Sequence, residues 1–262
     1  MLLANVLDAL EALAPLRYAE SWDNVGLIVG RTDQEVSQVL LCIDYTDAVA
    51  READILGSDL VVAYHPPIFE GLKRVDADTL IFDAIRKGRA LYSPHTALDV
   101  AEGGTNDVLA EAAGMTTRHP LRALHPSKRR LEEEHLGLGR IGPVAGKTRR
   151  DVVEYTKKSL GLPTVLVAGP LDAPVNLVAV AAGAARDLLK NAQEEGAELY
   201  VTGELRHHDA LWATARGMTV VCLRHSSSER AVLERLRTSL MERVPGLEVR
   251  TSASDRDPFF FH

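Results

Sequence analysis

The chain has 262 residues, 46% hydrophobic and 26% charged, with a formal charge of −7. That is the balance of a soluble globular protein, long enough for one large domain or two small ones and for a core that needs no disulfide or metal to fold. A metal in such a chain would therefore point to function. The acidic total disfavours nucleic acid as a partner, because the basic clusters are short. Lys128-Arg129-Arg130 is followed at once by Glu132-Glu133-Glu134, and Lys147 with Arg149-Arg150 is the other cluster. Both read as solvated faces, although a local basic patch is compatible with a negative total.

At the N-terminus, Leu3, Val6, Leu7, Leu10 and Leu13 repeat at helical spacing, Asp8 and Glu11 interrupt the apolar run, and no basic lead precedes it. This predicts an amphipathic helix rather than a signal peptide. No apolar run is long enough to span a bilayer, so the expected location is the cytoplasm, with no membrane partner. A loop at 21–25 enters a short strand. The pattern then predicts a strand at 39–43, a helix near 47–56, a strand at 60–64, a helix near 78–87, a strand at 90–93, and a loop before a helix near 106–113. Such alternation predicts parallel βαβ units.

Residues 116–150 mix Pro, Gly and charge without a long period, and a domain junction is expected near 115–125. A second α/β stretch follows. It has a helix near 149–160, strands at 164–168 and 176–181, a helix near 185–195, strands at 198–202 and 219–223, a helix at 227–243 and a last strand near 247–251. The expected fold is α/β, with two α/β domains built on mixed or parallel sheets. One domain takes residues 1–120 with 223–262, and the other takes 121–222. Cys42 and Cys222 sit inside apolar runs and read as buried free thiols. They give neither a disulfide framework nor a zinc spacing.

Several strands end in a residue able to ligate. Strand 39–43 ends at Asp44, 60–64 runs into Tyr64-His65, 90–93 runs into His95 and Asp99, and 219–223 runs into His225. In open α/β sheets, sites form outside the carboxyl ends of strands, so these residues are expected to converge there. Two imidazoles and two carboxylates suit zinc, manganese or iron. Each has a plainer reading. His65 precedes Pro66-Pro67, which forces extended backbone, and is as readily a turn histidine. Asp99 lies before Gly103-Gly104 and is as readily a loop-structuring carboxylate. His225 and Glu229 stand four apart, on one helical face, but Ser226-x-x-Glu229 is also a capping box. Against a purely exposed cap, Glu229 aligns with Leu233, Leu236 and Leu240, and an inward carboxylate needs a partner. His95, Glu204 and His208 are candidates for moving protons. Glu204 and His208 lie in Gly203-Glu204-Leu205-Arg206-His207-His208-Asp209, which reads equally as an exposed turn opening a helix. No Walker loop, full G-x-G-x-x-G, G-x-S-x-G or H-E-x-x-H occurs. Gly183 after the strand at 176–181 is a weak signal.

The ordered motifs then form a pattern. They are Trp22-Asp23-Asn24-Val25-Gly26-Leu27, His65-Pro66-Pro67-Ile68-Phe69, His95-Thr96-Ala97-Leu98-Asp99, Gly103-Gly104-Thr105-Asn106-Asp107, Gly137-Leu138-Gly139-Arg140-Ile141-Gly142, Thr202-Gly203-Glu204 with His208, His225-x-x-x-Glu229, and Asp257-Pro258-Phe259. Nearly end to end, the chain resembles the GTP cyclohydrolase I type 2 homologues, the Nif-three-like dinuclear metal-centre family. The resemblance implies two α/β domains, a toroidal homohexamer with metals facing an internal cavity, and His65, Asp99, His225 and Glu229 as ligands.

One departure matters. The family usually places two histidines before the proline, and here the first position is Tyr64. A phenol with a reference pKa near ~10 binds a metal well only after losing its proton. One or two divalent transition metals (Zn, Mn or Fe) per chain are therefore expected, with Tyr64 as the doubtful ligand. The leading expectation is a metal-dependent hydrolase of a nucleotide-like or phosphate-containing small molecule, in which a bound metal lowers the pKa of its water toward ~7. The alternative is a non-catalytic metal-binding oligomer with a scaffold or regulatory role. A third reading, in which the His and Glu positions are caps and turns, predicts no stoichiometric metal.

Overall fold

The computed structural model describes residues 1–260. In chain order the regular elements are α1 (Leu3–Leu13), β1 (Gly26–Val29), β2 (Gln38–Cys42), α2 (Asp47–Leu56), β3 (Leu60–Ala63), α3 (Leu80–Arg86), β4 (Ala90–Ser93), α4 (His95–Val100) and α5 (Thr105–Ala112). They continue with β5 (Arg122–Ala123), β6 (Gly137–Leu138), β7 (Arg140–Thr148), α6 (Arg149–Leu160), β8 (Leu166–Ala168), β9 (Pro174–Ala181), α7 (Arg186–Glu194), β10 (Leu199–Thr202) and α8 (His207–Thr214). The chain closes with β11 (Thr219–Cys222), α9 (His225–Glu229), α10 (Val232–Arg243) and β12 (Glu248–Thr251). It divides into two compact units, Met1–Leu98 with the segment from Val232 onward, and Asp99–Ala231. Among the described residues no helix is long and apolar enough to cross a membrane.

The first unit is built on a five-stranded sheet in the order β1-β4-β3-β2-β12. The pairs β12–β2, β2–β3 and β3–β4 are parallel, and β1 lies antiparallel at the edge. All four residues of β3 and of β4 are buried, the mark of strands covered on both faces. One face carries Leu40, Val61, Ala63 and Leu91 against Val49 and Ala53 of α2 and Ile81 and Ala84 of α3. Each fully buried aliphatic side chain there stabilises by about 1.5–3 kcal/mol. Helix α2 starts where the Thr46 hydroxyl accepts from the Val49 N–H and stops at Gly57, which takes a left-handed φ of 68°.

The second unit has the order β7-β9-β10-β11-β8, with β9, β10 and β11 parallel and both edge strands antiparallel. Side-chain alternation separates its two faces. Val178, Val180, Leu199, Val201 and Val221 pack on α5 and α6, while Ala179, Ala181, Tyr200 and Val220 pack on α7 and α8. The unit is thus a helix–sheet–helix sandwich. Helix α6 opens with a reciprocal Thr148–Asp151 capping box and ends at left-handed Gly161.

Three expectations are corrected. The loop after β4 contains the short helix α4. The single helix at 227–243 is two helices, α9 and α10, so Glu229 is not in one continuous register with Leu233, Leu236 and Leu240. The unperiodic stretch 116–150 holds the nine-residue strand β7, an edge strand pairing antiparallel with β9. Its Pro143 and glycines hid it, and the register slips between Pro143 and Lys147, where an edge strand tolerates irregularity. Cys42 is buried as expected, whereas Cys222 is only partly so.

Candidate functional site

In the first unit, parallel β2, β3 and β4 end side by side and deliver Asp44, Tyr64-His65 and His95 to one edge of the sheet. The ladder runs one step past the strands, with Tyr64 N–H donating to Cys42 O at 2.8 Å and His65 N–H to Ile43 O at 3.0 Å. The Ser93 hydroxyl donates to Tyr64 O at 2.7 Å. Ile43 is itself fixed by the buried Asp255 carboxylate, which accepts from its N–H at 2.7 Å across 212 residues of sequence.

His65 Nδ1 lies 2.9 Å from Asp44 Oδ1. An ionised carboxylate can only accept, so Nδ1 carries the hydrogen, and the neutral ring would then present its lone pair on Nε2, the arrangement a ligating histidine needs. His95 repeats the device, with Nδ1 2.8 Å from Asp23 Oδ1. Asp23 also accepts from the Thr96 N–H at 3.1 Å and from the Thr96 hydroxyl. Burial pushes the Asp23 carboxyl up, but the His95 and Thr96 hydrogen bonds outweigh it and hold the group below the usual carboxylate range. Buried Tyr64 fills the angle between the two imidazoles, its ring centroid 5.2 Å from that of His65 and 5.6 Å from that of His95. The His65 and His95 rings are 5.4 Å apart.

In the second unit, β9, β10 and β11 likewise end together, and Gly183, Glu204 and His225 follow them. His225 opens α9 and Glu229 ends it. Nε2 of His225 is 3.3 Å from Glu229 Oε1, and Nδ1 is 3.3 Å from Glu204 Oε1. Glu229 is 3% exposed. The capping-box reading is not realised: the residue before α9 is Arg224, which makes no side-chain cap hydrogen bond. Gly183 is required by this geometry. It holds φ of 67°, and a Cβ there would lie 2.7 Å from Glu229 Oε1 and 3.5 Å from His225 Nε2. The Ser228 hydroxyl donates to His225 O at 2.7 Å and accepts from the Gly183 N–H at 2.9 Å.

Asp99, on α4, is held through its backbone, since the Asn106 amide donates to Asp99 O at 3.0 Å and accepts from the Ala182 N–H at 3.0 Å. His208 is exposed on the first turn of α8, its ring 5.4 Å from that of His207. The non-glycine residues with left-handed φ among those described are His95, at 27°, and Arg224, at 75°. Both stand at strand ends beside candidate residues, where such strain concentrates.

Sequence reasoning missed the parts of Asn106, Gly183, Ser228 and Asp255. It noted Asp44 as a strand-end residue without giving it a task. A carboxylate one residue beyond a strand parallel to that of His65 was the available signal.

The sequence model of the Duf34/NIF3 (NGG1p interacting factor 3) family matches residues 1–258. The chain belongs to this family. A Clostridium perfringens relative described as a GTP cyclohydrolase 1 type 2 homolog is 30% identical over 267 residues, covering 100% of both chains. A Schizosaccharomyces pombe NIF3 homolog is 36% identical over 270 residues, covering 95% of this chain and 94% of its own. Among solved structures, a Bacillus cereus protein related to NIF3 shares the fold at a TM-score of 0.90 with 24% identity, covering 100% of this chain and 99% of that one. A Staphylococcus aureus protein gives 0.89 with 27% identity and the same coverage.

Proposed function

We propose that this NIF3-family protein holds one or two divalent transition metals, zinc, manganese or iron, through His65, Asp99, His225 and Glu229. It then hydrolyses a small nucleotide-like or phosphate-containing molecule. The observation that carries this reading is the pairing of the buried Glu229 carboxylate with His225 Nε2 against a glycine that a single Cβ would obstruct. Burying a carboxylate is costly unless a cation or donors face it, and the chain keeps Gly183 in left-handed backbone where these two donors meet. Neutral imidazole and carboxylate are the donors that borderline divalent metals take.

When bound, the ion supplies Lewis-acid charge at the reacting group. The chain's own residues do the rest. Asp44 fixes the His65 ring, and Glu204, beside Nδ1 of His225, does the same for that imidazole. His95, locked by Asp23 with Nε2 available, takes or gives a proton at the substrate, with His208 as a second exposed proton carrier. Tyr64 is the further candidate ligand, and a phenol holds a metal well only as the phenolate, which favours one well-held metal over two. The protein is expected to work as a homohexamer in the cytoplasm.

The test is hydrolysis of a panel of nucleotides and phosphate esters by metal-loaded protein, beside Asp99→Ala and Glu229→Ala. Turnover that both variants lose while still folded supports the hydrolase. Metal bound without turnover on any member favours the scaffold role.

A further inference from the structure

We infer that Trp22 and Phe69 form a stacking subsite for a planar heteroaromatic ring beside His95, so that the substrate is ring-bearing rather than a bare phosphate ester or sugar phosphate. The inference deepens the hydrolase reading by naming its substrate class, and for that class it rests on it. Trp22 is 59% exposed and Phe69 53%. A single exposed aromatic needs no explanation. These two touch each other, with ring centroids 5.9 Å apart and planes inclined at 48°. Both also meet the His95 ring edge-on, at 6.1 Å from Trp22 and 6.4 Å from Phe69.

The backbone under both rings is pinned. Asp23, next to Trp22, has a fully buried side chain committed to His95 and Thr96. Asn24 donates its amide to Ile68 O at 2.6 Å, tying the loop of Trp22 to the residue before Phe69. Partly buried hydrogen bonds thus hold the two loops in place, while the aromatic faces of those loops lie in water. A preorganised aromatic surface loses little entropy on binding. The tilt leaves no slot between the rings, so a ligand ring lies on the Trp22 face with Phe69 against its edge. His95 gives this shelf a polar corner, its ring fixed through Nδ1, 2.8 Å from Asp23 Oδ1. A surface of two aromatic faces and one oriented imidazole nitrogen suits a ring carrying nitrogen or oxygen at its edge better than an aliphatic chain.

The full-length protein carrying Trp212→Phe leaves Trp22 as the one indole of the chain, which has two tryptophans. Its fluorescence is titrated with guanosine, adenosine and uridine 5′-monophosphates, and with ribose 5-phosphate. Saturable quenching by the purine nucleotides, weaker quenching by the pyrimidine and none by ribose 5-phosphate are expected. Phe69→Ala in that background should weaken binding by about 10-fold, and Trp22→Ala, followed by calorimetry, by at least ~10-fold. Metal content should be unchanged in both. Absence of saturable quenching by any nucleotide, equal quenching by ribose 5-phosphate, or full affinity in both variants would overturn the inference. The two readings fail separately: nucleotide binding in a protein that takes up no metal leaves the subsite standing and removes the hydrolase, and metal uptake without ring binding does the reverse.

Discussion

A carboxylate oxygen of Asp44 stands 2.9 Å from Nδ1 of His65, so the strand end of β2 sets the tautomer of the histidine that follows β3. If His65 is a ligand through Nε2, Asp44→Ala lets the ring rotate and removes the charge that raises its basicity. Metal affinity should fall by roughly 10–100-fold, with a smaller loss for Asp44→Asn, which keeps an acceptor oxygen. Titration of metal-free protein with zinc reads this directly. Equal affinities in all three proteins would mean that His65 does not ligate.

Gly183→Ala tests the second half of the ligand set. The new Cβ would clash with Glu229 Oε1 at 2.7 Å, and the left-handed backbone is itself unfavourable to alanine. Overpacking and φ strain together should cost about 1–3 kcal/mol of stability and displace the Glu229 and His225 donors. Gly196→Ala is the control. Its φ is 84°, but nothing lies within 4 Å of the added Cβ, so it carries the backbone cost without the clash. Metal uptake should be weakened in Gly183→Ala and kept in Gly196→Ala.

Asn106 and Ser228 connect the second unit's candidate residues through hydrogen bonds within that unit. Each truncation removes two of these bonds, at about 0.5–1.5 kcal/mol each. Ser228→Ala removes the bonds to Gly183 N–H and His225 O, so its loss of metal affinity should exceed that of a destabilising change far from the site, such as Val152→Ala. Comparable metal affinity in the two, at matched loss of stability, would reduce Ser228 to a scaffold residue.

Acid should unfold the second unit through Asp107. Its buried carboxylate accepts from Arg140 at 2.6 Å and Arg118 at 2.7 Å and from the Gly103 N–H at 2.7 Å. Burial raises its pKa, but the Arg140 charge and these hydrogen bonds outweigh it, and the pKa is lowered. A lowered folded pKa means stability that is present above the unfolded value of ~3.9 and is lost as pH falls through the folded one. Unfolding monitored down a pH series should show this loss below about pH 4. Arg140→Ala, which leaves the buried carboxylate with Arg118 and the Gly103 N–H, should cost about 1–3 kcal/mol near neutrality.

The strand–helix alternation was legible because β2, β3, β9, β10 and β11 are short apolar runs closed by turn residues, and the candidate residues were legible because they follow such runs directly. β7 was not legible, since an edge strand needs no apolar alternation and here contains Pro143. The break between α9 and α10 has no proline or glycine to announce it. The Asp23–His95 pair was invisible for another reason. It joins residues 72 apart in sequence, and local spacing carries nothing about such pairs. Gly183 looked like an ordinary loop glycine because its reason, the space needed by Glu229, lies 46 positions further along the chain.

The most direct measurement is elemental analysis of untagged protein, normalised per chain, beside Glu229→Ala and Asp99→Ala. About one zinc, manganese or iron ion per chain, lost in both variants while their circular dichroism stays native, is the result this account predicts. About two would show that buried Tyr64 does not cost a second site. No metal in fresh protein, and none after incubation with each of the three ions, would contradict the proposed metal centre.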